Sequence, residues 1–347
     1  MSGFAIGVDL GGTNLRVAVV DDAGKLLEKM TTGTQVTRGR DRVITELCAD
    51  IQQLAGKFKS AGTLVGIGIG VPGIIDMHTG MVHESPNLPG WHNYPVRDDI
   101  ERRLGTRVIL ENDANAAAMG EFWLGAGRDY DSMCMFTLGT GVGGGIILDG
   151  KIWHGMTGMA GELGHLTIEP EGARCGCGNN GCLEQYASAT AIVRMAKEAI
   201  AGGQAPELQR ALGDNAEFSA KIVYQMAIQG DEPARVIFRR VGRALGIGVA
   251  DMINALNLPI FVLGGGVASA WEAFSPYIFE EVKRRSFVYR ATAPQDTGRV
   301  QRDATLITRA LLGSDAGLFG AARLPMLGDE YRAHVEQREP TAEKKRA

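Results

Sequence analysis

The chain lacks most of the features that settle a protein's class at a glance. Only five of its 347 residues are cysteine and 12 are proline. Five thiols, unevenly placed, exclude a disulfide scaffold. No segment reaches the ~18 uninterrupted apolar residues of a membrane span, and Met1-Ser2-Gly3-Phe4 has no basic region leading into an apolar run. Positive charge is not in excess either. Lys and Arg number 36 against 40 Asp and Glu, a net charge of −4, which argues against a broad nucleic-acid surface. The expectation is a cytoplasmic chain with neither a membrane nor a nucleic acid as partner.

Glycine is what the sequence has in quantity: 48 residues, roughly twice the average share of about 7%. With no Gly-X-Y period and few prolines, this is neither collagen nor a disordered linker. Glycine at this density marks places where backbone passes close to something.

Apolar patterning predicts strands at Phe4–Leu10 and Leu15–Val20, with a third from Lys25. A helix follows over Asp41–Lys59, with Val43, Ile44, Leu47, Ile51, Leu54 and Phe58 on one face. A strand at Leu64–Val71 ends at Pro72-Gly73, Asn87–Tyr94 reads as a loop, and Val96–Leu104 as a helix. A strand at Arg107–Leu110 leads into a helix over Ala114–Leu124. At Met133 the opening pattern returns: strand Met133–Leu138, a glycine break, strand Gly145–Leu148, and a turn into Lys151. A recurrence at this distance predicts a duplicated domain rather than a repeat array. The chain is then mostly helical from Ala189 to Leu256, with strands at Pro259–Leu263 and Thr305–Arg309 and a helix over Asp315–Leu324. Strands alternating with helices make this an α/β protein. The expected division is an N-terminal domain, 1–113, completed by the C-terminal helix 314–325, and a larger domain, 114–313. The charged stretch 327–347 is expected to be a frayed, disordered tail.

Three glycine clusters each follow a predicted strand: Gly11-Gly12-Thr13, Gly139–Gly145 and Gly264–Gly266. Such turns expose backbone N–H groups that can cradle phosphate oxygens. Two matches to G-x-G-x-x-G, at Gly139 and at Gly68, fail the dinucleotide test because no helix starts inside them. No G-x-x-x-x-G-K-[ST] occurs, so a P-loop is excluded. The strand–turn–strand unit used twice resembles the actin-like (ribonuclease H-like) ATPase fold, two duplicated domains with a cleft between them. Cys175, Cys177 and Cys182 form a glycine-spaced trio that reads as a structural Zn²⁺ site. The nearest histidine able to complete it is His165, with His154 further back. Cys48 and Cys134 read as buried core thiols.

Asp9-Leu10-Gly11-Gly12-Thr13-Asn14, Glu111-Asn112-Asp113, Leu138 to Gly145, Gly161-Glu162-Leu163-Gly164-His165 and Cys175-x-Cys177-Gly178-x-x-Gly181-Cys182-x-Glu184 occur in that order. This series resembles the ROK family of repressors and sugar kinases, from about Ile6 to Arg323. The resemblance implies ATP-dependent phosphorylation of a hexose at its 6-hydroxyl, glucose first, with Asp113 as general base. It implies that Asn112, Glu162, His165 and Glu184 hold sugar hydroxyls, with Gly73 and Asn87 lining the pocket. His165 would also be a zinc ligand beside the three cysteines. Asp9 would hold Mg²⁺ through water, and Gly11, Gly12, Thr13, Gly139, Thr140, Gly141, Gly264 and Gly265 would surround ATP. A homodimer or homotetramer is implied as well. Read from the residues alone, Asp113 is a helix N-cap and the carboxylates lie on the surface. A sugar-sensing repressor would need a helix-turn-helix before the first strand, for which the sequence leaves no room. A kinase for mannose, allose, N-acetylglucosamine or N-acetylmannosamine is the closer alternative.

Overall fold

The computed structural model describes residues 3–85, 87–213, 218–295, 303–328 and 331. The first unit opens with β1 (Gly3–Leu10), β2 (Asn14–Asp21) and β3 (Leu26–Gly33), followed by α1 (Arg40–Phe58) and β4 (Thr63–Val71). The short strands β5 (Ile74–Asp76) and β6 (Met81–Glu84), the helix α2 (Val96–Leu104) and β7 (Val108–Asn112) complete it. Helix α3 (Asp113–Leu124) leads to β8 (Met133–Leu138), β9 (Val142–Leu148) and β10 (Lys151–Ile152). Helices α4 (Glu184–Ala187), α5 (Ala189–Ala201), α6 (Pro206–Leu212), α7 (Ala220–Ile228) and α8 (Glu232–Leu256) precede β11 (Ile260–Gly264). The chain ends with α9 (Trp271–Arg285), α10 (Tyr289–Thr292), β12 (Leu306–Arg309) and α11 (Ala316–Met326). Among the described residues, no helix is long and apolar enough to cross a membrane.

The strands form two five-stranded sheets, ordered β3-β2-β1-β4-β7 and β10-β9-β8-β11-β12. Each starts with an antiparallel three-strand meander and continues with two parallel strands. The recurrence read at Met133 is thus a recurrence of topology. The inner strands are mostly apolar because both sheet faces are covered, with polar side chains such as Asp9 and Thr137 near their ends. Along β1, Phe4, Ile6, Val8 and Leu10 join the core under α1. Ala5 faces the other way, toward Leu318 and Ala322 of α11. Gly7 and Gly68 lie beneath α11 so closely that a Cβ on either would overlap its backbone carbonyls.

Helix α3 links the units. It carries alanines and a glycine because it is enclosed on nearly all sides. A Cβ on Gly120 would overlap the Ala316 carbonyl of α11, and one on Gly320 that of Ala116. Buried Glu121 accepts hydrogen bonds from the Ala126, Leu311 and Leu312 N–H groups at 2.9, 3.0 and 2.6 Å, fixing the segment between β12 and α11 to α3.

Two expectations need correction. The second glycine break is shorter than expected: β9 begins at Val142, so Gly143–Gly145 are strand. Gly143 and Gly145 face α3, where a Cβ on Gly145 would sit 2.6 Å from the Ala118 Cβ, whereas a Cβ on Gly144 would strike the Leu163 side chain and the Gly161 carbonyl. The expected tail from 327 lies largely outside the described residues, but Tyr331 is buried, with 6% of its surface exposed. In α8, a Cβ on Gly242 or Gly246 would strike α9, as close helix packing requires, and one on Gly248 would lie 3.2 Å from Leu183.

Candidate active site

In an open α/β sheet, ligands gather beyond the carboxyl ends of parallel strands. The ends of β1, β4 and β7 bring together the Gly11–Thr13 turn, Gly73 and the Asn112–Asp113 pair. The ends of β8 and β11 do the same for Gly139–Gly141 and Gly264–Gly265. Gly73, at φ +120, passes so close to Glu84 that a Cβ would overlap its carbonyl. Asn112 Nδ2 donates to the Gly73 carbonyl at 3.1 Å. Asn87 is exposed, and its carbonyl lies 2.9 Å from where a Gly12 Cβ would stand.

Asn112, not Asp113, caps α3: its Oδ1 accepts from the N–H groups of Ala114 and Asn115 at 2.9 and 3.2 Å. Asp113 is the first helical residue and takes a 2.9 Å bond from the Ala114 N–H. Burial, and then the charges of Asp9 and Glu162, push its carboxyl up to about 6 despite that bond. A carboxylate so placed ionises at neutral pH yet keeps an affinity for a proton, as a general base should. Asp9 is also raised, first by burial, although Arg16 Nη1 lies 3.3 Å from its Oδ2 and opposes the shift. Arg16 also donates to the Ser314 carbonyl at 2.7 Å, just ahead of α11.

The second turn is held from its outer side. Ala189 N–H donates to the Gly139 carbonyl at 2.9 Å, and Thr190 Oγ1 to the Thr140 carbonyl at 2.8 Å. Gly265, at φ +85, lies against the Leu138 backbone, so the third glycine turn adjoins the second. Glu184 is neither a free surface carboxylate nor wholly open to a ligand, because its Oε2 accepts from the Val142 N–H at 3.0 Å.

His165, Cys175, Cys177 and Cys182 offer ligand atoms all within 4.8 Å of one another. A tetrahedral zinc with sulfur at ~2.3 Å requires sulfur–sulfur edges of about 3.8 Å. Cys177 Sγ and Cys182 Sγ are 3.7 Å apart, as are Cys175 Sγ and His165 Nδ1. The donor set fits Zn²⁺, with Gln185 Nε2 and Asn179 Nδ2 each 3.7 Å from a cysteine sulfur. An antiparallel bridge between Thr167 and Cys182, with the Leu183 N–H donating to the Leu166 carbonyl at 2.8 Å, ties the loop to His165. His165 Nε2, on the far side from the sulfurs, lies 3.9 Å from Glu162 Oε2. Cys48 and Cys134 are buried thiols, as expected.

Sequence reasoning gave no role to Glu111 or Tyr331 and offered His154 only as a more distant histidine for the cysteine trio; the three form one buried cluster directly behind Asn112. The available signal was a single carboxylate after the apolar run Val108-Ile109-Leu110.

A model of the ROK family matches residues 5–326. The chain is 39% identical to the glucokinase of Halalkalibacterium halodurans over 321 residues, 92% of this chain and 94% of that protein. It is 39% identical to the glucokinase of Thermotoga maritima over 319 residues, 92% and 96% of the two chains. Among solved structures it is similar to a ROK family glucokinase from Streptomyces griseus in complex with glucose and AMPPNP. That likeness has a TM-score of 0.76 and 36% identity, covering 94% of this chain and all of that one.

Proposed function

We propose, from the premise that this chain belongs to the ROK family, that it transfers the γ-phosphoryl group of ATP to the 6-hydroxyl of glucose. The observation that carries the reading is the placement of Asp113. A carboxylate raised to about 6 stands at the start of α3, near Asp9 and Glu162, at the strand ends that carry the first glycine turn. The Streptomyces griseus relative, bound to glucose and AMPPNP, supports the choice of sugar and donor.

Asp113 accepts the proton of the 6-hydroxyl as its oxygen attacks the γ-phosphorus. Asn112, Glu162, His165 and Glu184 orient the sugar through its other hydroxyls. The Gly11–Thr13 and Gly139–Gly141 turns, with Gly264–Gly265, offer N–H groups to the phosphates. Positioning and charge neutralisation dominate such a transfer. Asp9 would hold Mg²⁺ through water, and the ion would supply positive charge to the phosphates when bound. His165, Cys175, Cys177 and Cys182 would hold a structural Zn²⁺ that fixes the His165 ring, leaving Nε2 to face the sugar.

Coupled ADP release over a panel of sugars tests this reading. Glucose should give the highest kcat/KM, with ATP preferred over polyphosphate. Mannose or an N-acetylhexosamine outrunning glucose would move the substrate assignment. Equal ADP release with and without any sugar would defeat the kinase reading.

A further inference from the structure

A fully buried carboxylate stands directly behind the proposed base. Glu111 closes the apolar run of β7 and has no exposed surface. It is held by donors from separate parts of the chain. Its Oε1 accepts from its neighbour's backbone, the Asn112 N–H, at 2.9 Å and from Asn115 Nδ2 in the first turn of α3 at 3.0 Å. Its Oε2 accepts from the Tyr331 hydroxyl at 2.8 Å and lies 2.8 Å from His154 Nε2. The His154 and Tyr331 rings are tilted together, with centroids 6.5 Å apart. Burial alone would push the Glu111 carboxyl up, but His154, Tyr331 and Asn115 together hold it below its ordinary value.

The partners matter because of where they come from. His154 follows β10 of the second sheet and begins the segment that leads to Glu162 and His165. Tyr331 lies beyond α11, 220 residues from Glu111. One oxygen of Glu111 thus grips the turn that presents Asp113, while the other is gripped by the second unit and the C-terminal segment. Removing a donor from a buried carboxylate leaves it under-satisfied, and it moves or draws in water to recover the bond.

We propose that Tyr331 and His154 are positioning residues for phosphoryl transfer, which act through Glu111 to fix the Asn112–Asn115 turn and so the aim of Asp113. The proposal rests on the reading of Asp113 as the base, and its test separates the two. In the full chain, Tyr331→Phe removes one hydroxyl and keeps the ring. It should lower kcat about 10-fold, within the ~100-fold that a 1 Å misplacement can cost, while KM for glucose and ATP changes less than about 2-fold. Amide hydrogen exchange should quicken at residues 112–116 and stay unchanged in α9. His154→Gln, which keeps an N–H donor, should retain more kcat than His154→Ala. A lowered Tm with wild-type kcat, or a uniform rise in exchange across the chain, would overturn the proposal by making the cluster merely structural. If Tyr331→Phe does not fold, the His154 pair decides. If the wild-type chain phosphorylates no sugar, the base reading fails, and local exchange at 112–116 still decides whether the cluster holds the turn.

Discussion

In both glycine hairpins a leucine ends the first strand, Leu10 opposite Leu15 and Leu138 opposite Val142. One pair further in, the two differ. Asp9 faces Arg16 in the first, and Thr137 faces Gly143 in the second. The first hairpin carries a partly buried ion pair at 3.3 Å close to Asp113; the second carries no charge at that step and is steadied by Glu184 and the start of α5. One topology has therefore been adapted twice. In the first sheet it places carboxylates, and in the second it shapes backbone. The glycines of β9 follow from this, because α3 on one side (Gly143, Gly145) and Leu163 with the Gly161 carbonyl on the other (Gly144) leave no room for side chains.

The comparison predicts unequal responses to substitution. The largest belongs to Asp113. Asp113→Asn should lower kcat by about 10³-fold, measured by ADP release. The same variant should melt higher. A carboxyl raised in the folded state contributes stability that is full below its unfolded value and lost as pH rises through about 6, so an uncharged amide removes that loss at neutral pH. Near wild-type turnover in a folded Asp113→Asn protein would sink the assignment.

Next come the two hairpins themselves. Asp9→Asn should cost about 100-fold in kcat and raise the Mg²⁺ needed for half-maximal rate, whereas Thr137→Val should cost less than about 3-fold. Equal losses at the two positions would erase the proposed division of labour. Stripping the thiolate site, by chelation or by Cys177→Ser, should raise the KM for glucose about 10-fold and lower Tm, with the KM for ATP nearly unchanged. An unchanged glucose KM in protein shown to be metal-free would detach the loop from the sugar. The pH response comes last. As a base titrating at about 6, Asp113 should give kcat/KM an acid limb, with the rate at pH 5 about one tenth of that at pH 8. A flat profile between those values would contradict the raised carboxyl.

Much of this was legible from residue order. Apolar runs rich in β-branched residues marked the strands, and Asn257 in the left-handed conformation ends α8 where the pattern stopped. The cysteine–histidine cluster was legible because its cysteines lie close in sequence and glycine lets the loop fold back. Other features were not. Gly143 and Gly144, inside β9, read as part of the glycine break, since what crowds them, α3 for the one and Leu163 for the other, is met only in three dimensions. Asn112 and Asp113 both suit a cap, and only the backbone shows which one takes it. Tyr331 was hidden in a charged run, and its partner lies 220 residues away. No local pattern reports such a contact.

The most direct measurement is the identity of the product. Wild-type protein with glucose, ATP and Mg²⁺ should yield ADP and a phosphomonoester on the sugar's 6-carbon in equal amounts, read by phosphorus NMR. Inorganic phosphate in place of the sugar ester, or phosphate on the anomeric carbon, would contradict the account.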